Sequence, residues 1–232
     1  SHGDRQRCYQ GGPRPGMPAP LAPRPFGTVE TNGLSPLDAY SFDVGGWIVV
    51  SGALDAAALS RCRDAVRRGD EAAVFTAVAE EQQRGVLAPY LHGLMFEGSS
   101  FGSETAVLDS APTLLAEQTP LAAETEHFYA AQNNGVAITQ GVRCFWALTD
   151  LPGGGPGGFC ILPASHNARV DAPSSVLRAG AADDLLLWPR LAAGDLLVAA
   201  STLVYGKRPW PNERDGLQLV LHAEFLSSTA RG

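Results

Sequence analysis

The sequence is short of several things that would fix its class early. Cysteine is sparse: Cys8, Cys62, Cys144 and Cys160 are the only four in 232 residues, and no two form a CxxC pair. That spacing argues against a small secreted scaffold stapled by disulfides, since such domains are short and cysteine-dense. Long apolar runs are missing too. Nothing approaches the roughly 20 consecutive residues that span a bilayer, and the N-terminus lacks the charged-then-apolar pattern of a secretory signal. No membrane span and a cytoplasmic location are therefore expected. Basic charge is in deficit, with 17 Lys and Arg against 24 Asp and Glu and a net charge of -7. A nucleic-acid binder normally carries a basic patch, so no nucleic-acid partner is expected.

What is present suits a packed protein. Hydrophobic residues make up 45% and charged residues 18%, enough apolar surface for a sizeable core. The first 34 residues stand apart: GGPRPGMPAPLAPRP is rich in Pro, Gly and Arg and offers little to bury. It reads as a flexible tail or a strap on the domain. The domain is expected from 35 to 232.

Within it the texture changes from helical to β. Phe42 to Val50 leads into a strand. Asp55 is placed to cap a helix, Ala58, Leu59, Cys62, Ala65 and Val66 recur at helical spacing, and Gly69 stops it. Asp70 caps a second helix carrying Val74, Phe75 and Val78. From His127 onward short strands alternate with turn residues. Phe128 to Ala131 and Val136 to Ile138 flank an Asn133-Asn134-Gly135 hairpin signal. Gly194-Asp195 opens the strand Leu196 to Ala200, and Leu217 to Phe225 is the last strand.

The most specific stretch is RCFWALTDLPGGGPGGFCILPASH, Arg143 to His166. Two β runs, Val142 to Leu148 and Phe159 to Leu162, are separated by Gly and Pro and read as a hairpin with a long connection. Cys144 and Cys160 would then sit on its two strands, as buried free thiols or facing each other. Covering helices first and many short strands afterwards predict an α+β, mainly β domain built on an antiparallel sandwich or jelly roll.

In order along the chain come WALTD, the glycine-rich turn, GGFCILPASH, GDLLVAAS, Tyr205-Gly206, Pro209-Trp210 and Asn212-Glu213-Arg214. This series resembles the phytanoyl-CoA dioxygenase (PhyH) family, with its Leu-x-Asp, Gly-rich turn and Pro-Gly-Ser-His run. The resemblance covers most of 35 to 228. It implies a double-stranded β-helix (jelly roll, cupin-like) with N-terminal covering helices. It also implies dioxygenase (hydroxylase) chemistry on a small-molecule substrate, with Fe(II) and 2-oxoglutarate as cofactors. Such iron is held by two His and one carboxylate on one face, leaving positions for 2-oxoglutarate and oxygen. In the family an H-x-D pair precedes the WALTD-like strand, the second His follows the GD strand, and an Arg about ten residues later grips 2-oxoglutarate through its planar guanidinium.

The ligand positions are where this sequence departs from the family. Tyr205 stands in place of the second His. The segment from Glu117 to Asn134 has no His-x-acid pair; one register puts Ala122-x-Glu124 in its place and another Gln132-x-Asn134. Glu124 or Glu126 with His127, together with Tyr205, are the candidates for a relict metal site. His222-Ala223-Glu224 is a formal H-x-E on the final strand, and His2-Gly3-Asp4 is an H-x-D in the tail. Both lie off the family's position and are read as coincidence. Arg214 is the cofactor-binding candidate for 2-oxoglutarate, or else an exposed turn arginine. The resemblance places Trp146, His166 and Trp210 around the pocket. Arg143 and Trp146 should point to opposite faces of their strand; Arg143 turned inward would be an anion-binding candidate, but it is expected outward, as a surface charge. The resulting expectation is an oxygenase scaffold whose catalysis is lost or altered. The alternatives are an active oxygenase with a non-standard iron site and a non-catalytic jelly roll that binds a small molecule or a partner.

Overall fold

A computed structural model of the chain describes residues 34–70, 72–74, 76–77, 80, 90–91, 106–108, 113–115, 119–122, 129–131, 137–151, 153, 158–168, 172–177, 183–208 and 218–227. The tail, Glu124, Glu126, His127, Trp210 and Arg214 lie outside these residues.

Helix α1 (Pro36–Gly45) begins where Ser35 Oγ accepts the Asp38 N–H at 3.0 Å, with proline in its first turn. It ends at Gly46, whose φ of 80° is left-handed and whose N–H donates to Phe42 O. Strand β1 (Trp47–Val50) follows directly. In helix α2 (Ala56–Arg68) the expected caps are in place: Asp55 Oδ1 accepts the Ala58 N–H at 2.7 Å, and Gly69 closes the last turn. Its buried face is Ala58, Cys62 and Ala65, spaced by four and three residues. Asp70 Oδ1 accepts from Ala73 N–H, so the second predicted cap also forms, while Phe75 and Val78 lie outside the described residues.

The strands that follow are β2 (Ala106–Leu108), β3 (Thr113–Leu114), β4 (Thr119–Ala122), β5 (Tyr129–Ala131), β6 (Ala137–Thr139), β7 (Gly141–Ala147), β8 (Gly158–Ile161), β9 (Leu196–Ala200), β10 (Tyr205–Arg208) and β11 (Val220–Ser227). They pair antiparallel. The larger sheet runs β1-β9-β7-β11-β2, with β3 also on β11; the smaller runs β4-β10-β8. β5 and β6 form the expected hairpin, with Ala131 opposite Ala137.

The hairpin expected between β7 and β8 does not form. β7 already has β9 and β11 on its two edges, and β8 pairs with β10 in the other sheet. The glycine-rich connection therefore carries the chain from one sheet to the other. Cys144 and Cys160 consequently separate, Cys144 packing in the helix-side core and Cys160 in the cluster on the far side of the smaller sheet; both are buried free thiols.

Alternation along the strands sorts the core into layers. Val142, Cys144 and Trp146 of β7 join Val198 of β9, Leu221 and Phe225 of β11 and the buried faces of α1 and α2. Phe145 and Ala147 face the other way, with Leu197, Ala199 and Val220, and meet Phe159 and Ile161 of the smaller sheet. Every residue of β7 is buried because both its faces are covered. Each large side chain so enclosed contributes about 1.5–3 kcal/mol.

The Pro163-Ala164-Ser165-His166 turn ties the layers together. Ser165 Oγ donates to Leu162 O and accepts the Val204 N–H at 2.8 Å, fixing the approach to β10. Ala164 N–H donates to Gly45 O, and His166 Nε2–H donates to Asp43 O at 3.0 Å, both at the end of α1. A Cβ on Gly46 would overlap the His166 ring, so glycine is required there for space as well as for its φ.

Candidate functional site

A group of polar residues, Arg143, Tyr205, Lys207, His222 and Glu224, lies on β7, β10 and β11 between the sheets. Arg143 shares its face of β7 with Phe145, and Glu224 lies directly across from it on β11. Arg143 Nε is 3.3 Å from Glu224 Oε1, and Nη2 is 3.4 Å from Oε2, a two-pronged ion pair with Arg143 only 6% exposed. The expectation that Arg143 points outward is thus corrected. Parity along β7 left either face open, and Glu224, far off in sequence, supplies the charge that makes burial tolerable.

Rings pack around this pair. The Arg143 guanidinium lies 5.0 Å from the centre of the Tyr205 ring. Phe145, Tyr205 and His222 form a triangle, with centroids 4.8 Å (Phe145–Tyr205), 5.1 Å (Phe145–His222) and 5.7 Å (Tyr205–His222) apart, and Phe159 packs on Phe145 at 4.9 Å. Two residues on from Tyr205, buried Lys207 donates from Nζ to Gln218 O at 2.7 Å. Burial, and then the neighbouring Arg143 charge, push the His222 pKa down to about 4. His222 is therefore a neutral imidazole at pH 7, and its buried Nε2 has no hydrogen-bond partner.

Opposite Tyr205, on β4, stands Ala122. Directly opposed residues of an antiparallel pair have Cα atoms about 4.5–5.5 Å apart, close enough for two side chains to share one ion. Ala122 opens the Ala122-x-Glu124 register and faces Tyr205, while Glu124, Gln132 and Asn134 lie outside the described residues. The two positions that face each other across β4 and β10 are thus an alanine and a tyrosine.

These residues do not fit an iron centre of the two-His, one-carboxylate type. Glu224 is engaged by Arg143, Ala122 has no donor, and a Tyr phenol must lose a proton whose unperturbed pKa is near 10. Among the described residues no group of three His, Cys, Asp or Glu converges to hold a metal ion. Of the other sequence candidates, Trp146 packs on the helix side of β7, because it is one residue out of step with Phe145. His166 is buried beneath α1, where burial lowers its pKa against the opposing effect of the Asp43 contact. Lys207 and the inward-facing pair His222 and Glu224 were not recognised as site residues. The signal lay in β11, where polar His222 and Glu224 alternate with apolar Leu221, Ala223 and Phe225.

No protein-family model matches the sequence, and no curated protein matches it. The fold, by contrast, has clear likenesses among solved structures. HygX from Streptomyces hygroscopicus, solved with nickel and 2-oxoglutarate bound, matches with a TM-score of 0.63 at 18% identity over 83% of this chain and 87% of that one. AviO1 from Streptomyces viridochromogenes Tue57 matches with 0.56 at 15% identity, over 82% and 93%. SnoN, a non-heme α-ketoglutarate-dependent epimerase from nogalamycin biosynthesis, matches with 0.54 at 16% identity, over 82% of each chain. The fold, helices with antiparallel sheets, is the one these solved structures share. Among the described residues no helix is long and apolar enough to cross a membrane.

Proposed function

We propose that this chain is a non-catalytic, PhyH-like member of the Fe(II)/2-oxoglutarate oxygenase superfamily that uses a double-stranded β-helix to bind a small molecule. The observation that carries this reading is the Ala122–Tyr205 pairing. The two strands that would bring metal ligands together present a methyl group and a phenol. Fold alone does not imply function, and the site residues decide it. HygX and SnoN are described with metal and 2-oxoglutarate; a chain with no imidazole at either of the two facing positions should hold Fe(II) poorly.

The test is calorimetric titration of the protein with Fe(II), or with Ni(II) as a stable substitute, in the presence and absence of 2-oxoglutarate. Succinate release is followed in parallel. No stoichiometric metal binding and no succinate is the expected result. Stoichiometric binding together with 2-oxoglutarate turnover would overturn the proposal. That outcome would favour a second reading, an active oxygenase with a non-standard ligand set. The observation on its side is His222, a neutral imidazole beside Tyr205 with its buried Nε2 unpartnered.

A further inference from the structure

The Arg143–Glu224 pair is built unlike a purely structural ion pair. Charge-assisted N–H···O bonds are typically about 2.7–2.9 Å long, and here both prongs are longer, at 3.3 and 3.4 Å. The guanidinium fork is aimed at a carboxylate but holds it loosely. The pair itself is buried, but the side chains beside it are less so. Tyr205 is the first residue of β10 and Ala122 the last of β4; Ala122 is exposed, and Tyr205 and His222 are each partly exposed. Solvent therefore reaches Tyr205 and His222 beside the pair, while Phe145 is fully buried behind them. Aromatic rings lie beside the guanidinium: Tyr205 is 5.0 Å from it, with His222 and Phe145 packed against Tyr205.

From this arrangement we infer that Arg143 is the anchor of a metal-independent carboxylate site, in which Glu224 is the internal occupant and an aromatic carboxylate is the ligand that displaces it. The planar fork takes the ligand's carboxylate in the same two-pronged manner that it takes Glu224. The ligand's ring packs against Tyr205, Phe145 and His222, gaining the offset or edge contacts that aromatic pairs favour. His222 Nε2 gains the partner it lacks, since a neutral imidazole can carry its proton on that nitrogen and donate it to a carboxylate oxygen. Nothing is oxidised and no bond is made; the step is an exchange of one carboxylate for another on the same guanidinium.

The inference rests on the non-catalytic, ligand-binding reading, but its test is independent of metal. Benzoate is titrated into the protein by calorimetry in EDTA at neutral pH, with acetate as the non-aromatic control and circular dichroism to check folding. The wild-type protein is expected to bind benzoate in the millimolar range, roughly, because the internal carboxylate competes. Glu224→Gln removes the competing charge and keeps the side-chain shape, so affinity should rise about tenfold. Arg143→Lys keeps the charge but loses the fork, and should weaken benzoate about tenfold or more. Acetate should bind more weakly than benzoate to each protein. The inference is overturned if neither wild type nor Glu224→Gln binds benzoate, if Glu224→Gln binds no more tightly, if Arg143→Lys leaves affinity unchanged, or if acetate matches benzoate. Should Glu224→Gln fail to fold, the Arg143→Lys and acetate comparisons decide alone. Stoichiometric metal binding with 2-oxoglutarate turnover in the separate titration would defeat the functional reading and leave the benzoate result standing.

Discussion

An imidazole titrates according to what surrounds it, and partly exposed His222 is flanked by Phe145 and Tyr205, with Arg143 and its partner Glu224 nearby. Burial and the guanidinium charge hold its pKa at about 4 in the folded protein, while an unfolded His titrates near 6.5. As pH falls below about 6.5 the unfolded chain takes up a proton that the folded chain refuses. Stability therefore declines between about 6.5 and about 4, and this contribution levels off below that. The loss is on the order of 2–3 kcal/mol across the window, less whatever its partial solvent contact screens. His222→Phe keeps a ring between Phe145 and Tyr205 and removes the titration. Chemical denaturation at a series of pH values should then show a shallower acid limb for the variant, with little change at pH 7.5. His166 is shifted in the same direction in both proteins, so the difference between them isolates His222. An unchanged acid limb would mean that His222 is not held neutral by its neighbours.

At the scale of elements, the register of β4 against β10 sets Ala122 directly opposite Tyr205. Ala122→His with Tyr205→His places imidazoles on directly opposed residues. The double variant is expected to bind Ni(II) with a Kd on the order of micromolar, at least tenfold tighter than either single variant or the wild type, measured by calorimetry. Equal affinity in all four would show that these two positions do not converge. This prediction could not have been drawn from sequence, and the reason is physical. Local features were legible: the Asp55 and Gly69 caps of α2, the β5 and β6 strands that pair, and the apolar run of β9. Each is written in a few adjacent residues. Pairing between distant strands is not. β7 and β8 read as hairpin partners because turn residues separate them, yet β11, some 80 residues further along, is the neighbour that Arg143 meets. Alternation reveals that Arg143 and Trp146 oppose each other, but only Glu224 across the sheet decides which of them faces inward.

Over the whole molecule, the inter-sheet layer joins two separately hydrogen-bonded sheets, and Phe145 packs against both. It sits on the larger sheet, stacks on His222 of the same sheet, and packs on Phe159 and Tyr205 of the smaller one. Fully buried, it makes the stability of each sheet depend on the other. Phe145→Ala should cost about 3–5 kcal/mol. The chain carries its own reporters for whether that loss is shared. Cys144 lies on the helix side of the larger sheet and Cys160 on the outer side of the smaller. Both thiols are buried and made unreactive, with burial raising the Cys160 pKa to about 11 and Cys144 further still. A thiol reagent labels each only when its sheet opens, so labelling rates measure the two opening equilibria separately. If the sheets open as one unit, Phe145→Ala speeds labelling of Cys144 and Cys160 by the same factor, about a hundredfold or more for a loss of that size. Acceleration at Cys160 alone would mean that the smaller sheet detaches from a larger sheet that stands without it. The Phe145 contacts would then be a lid on the site, not the bond between its two halves.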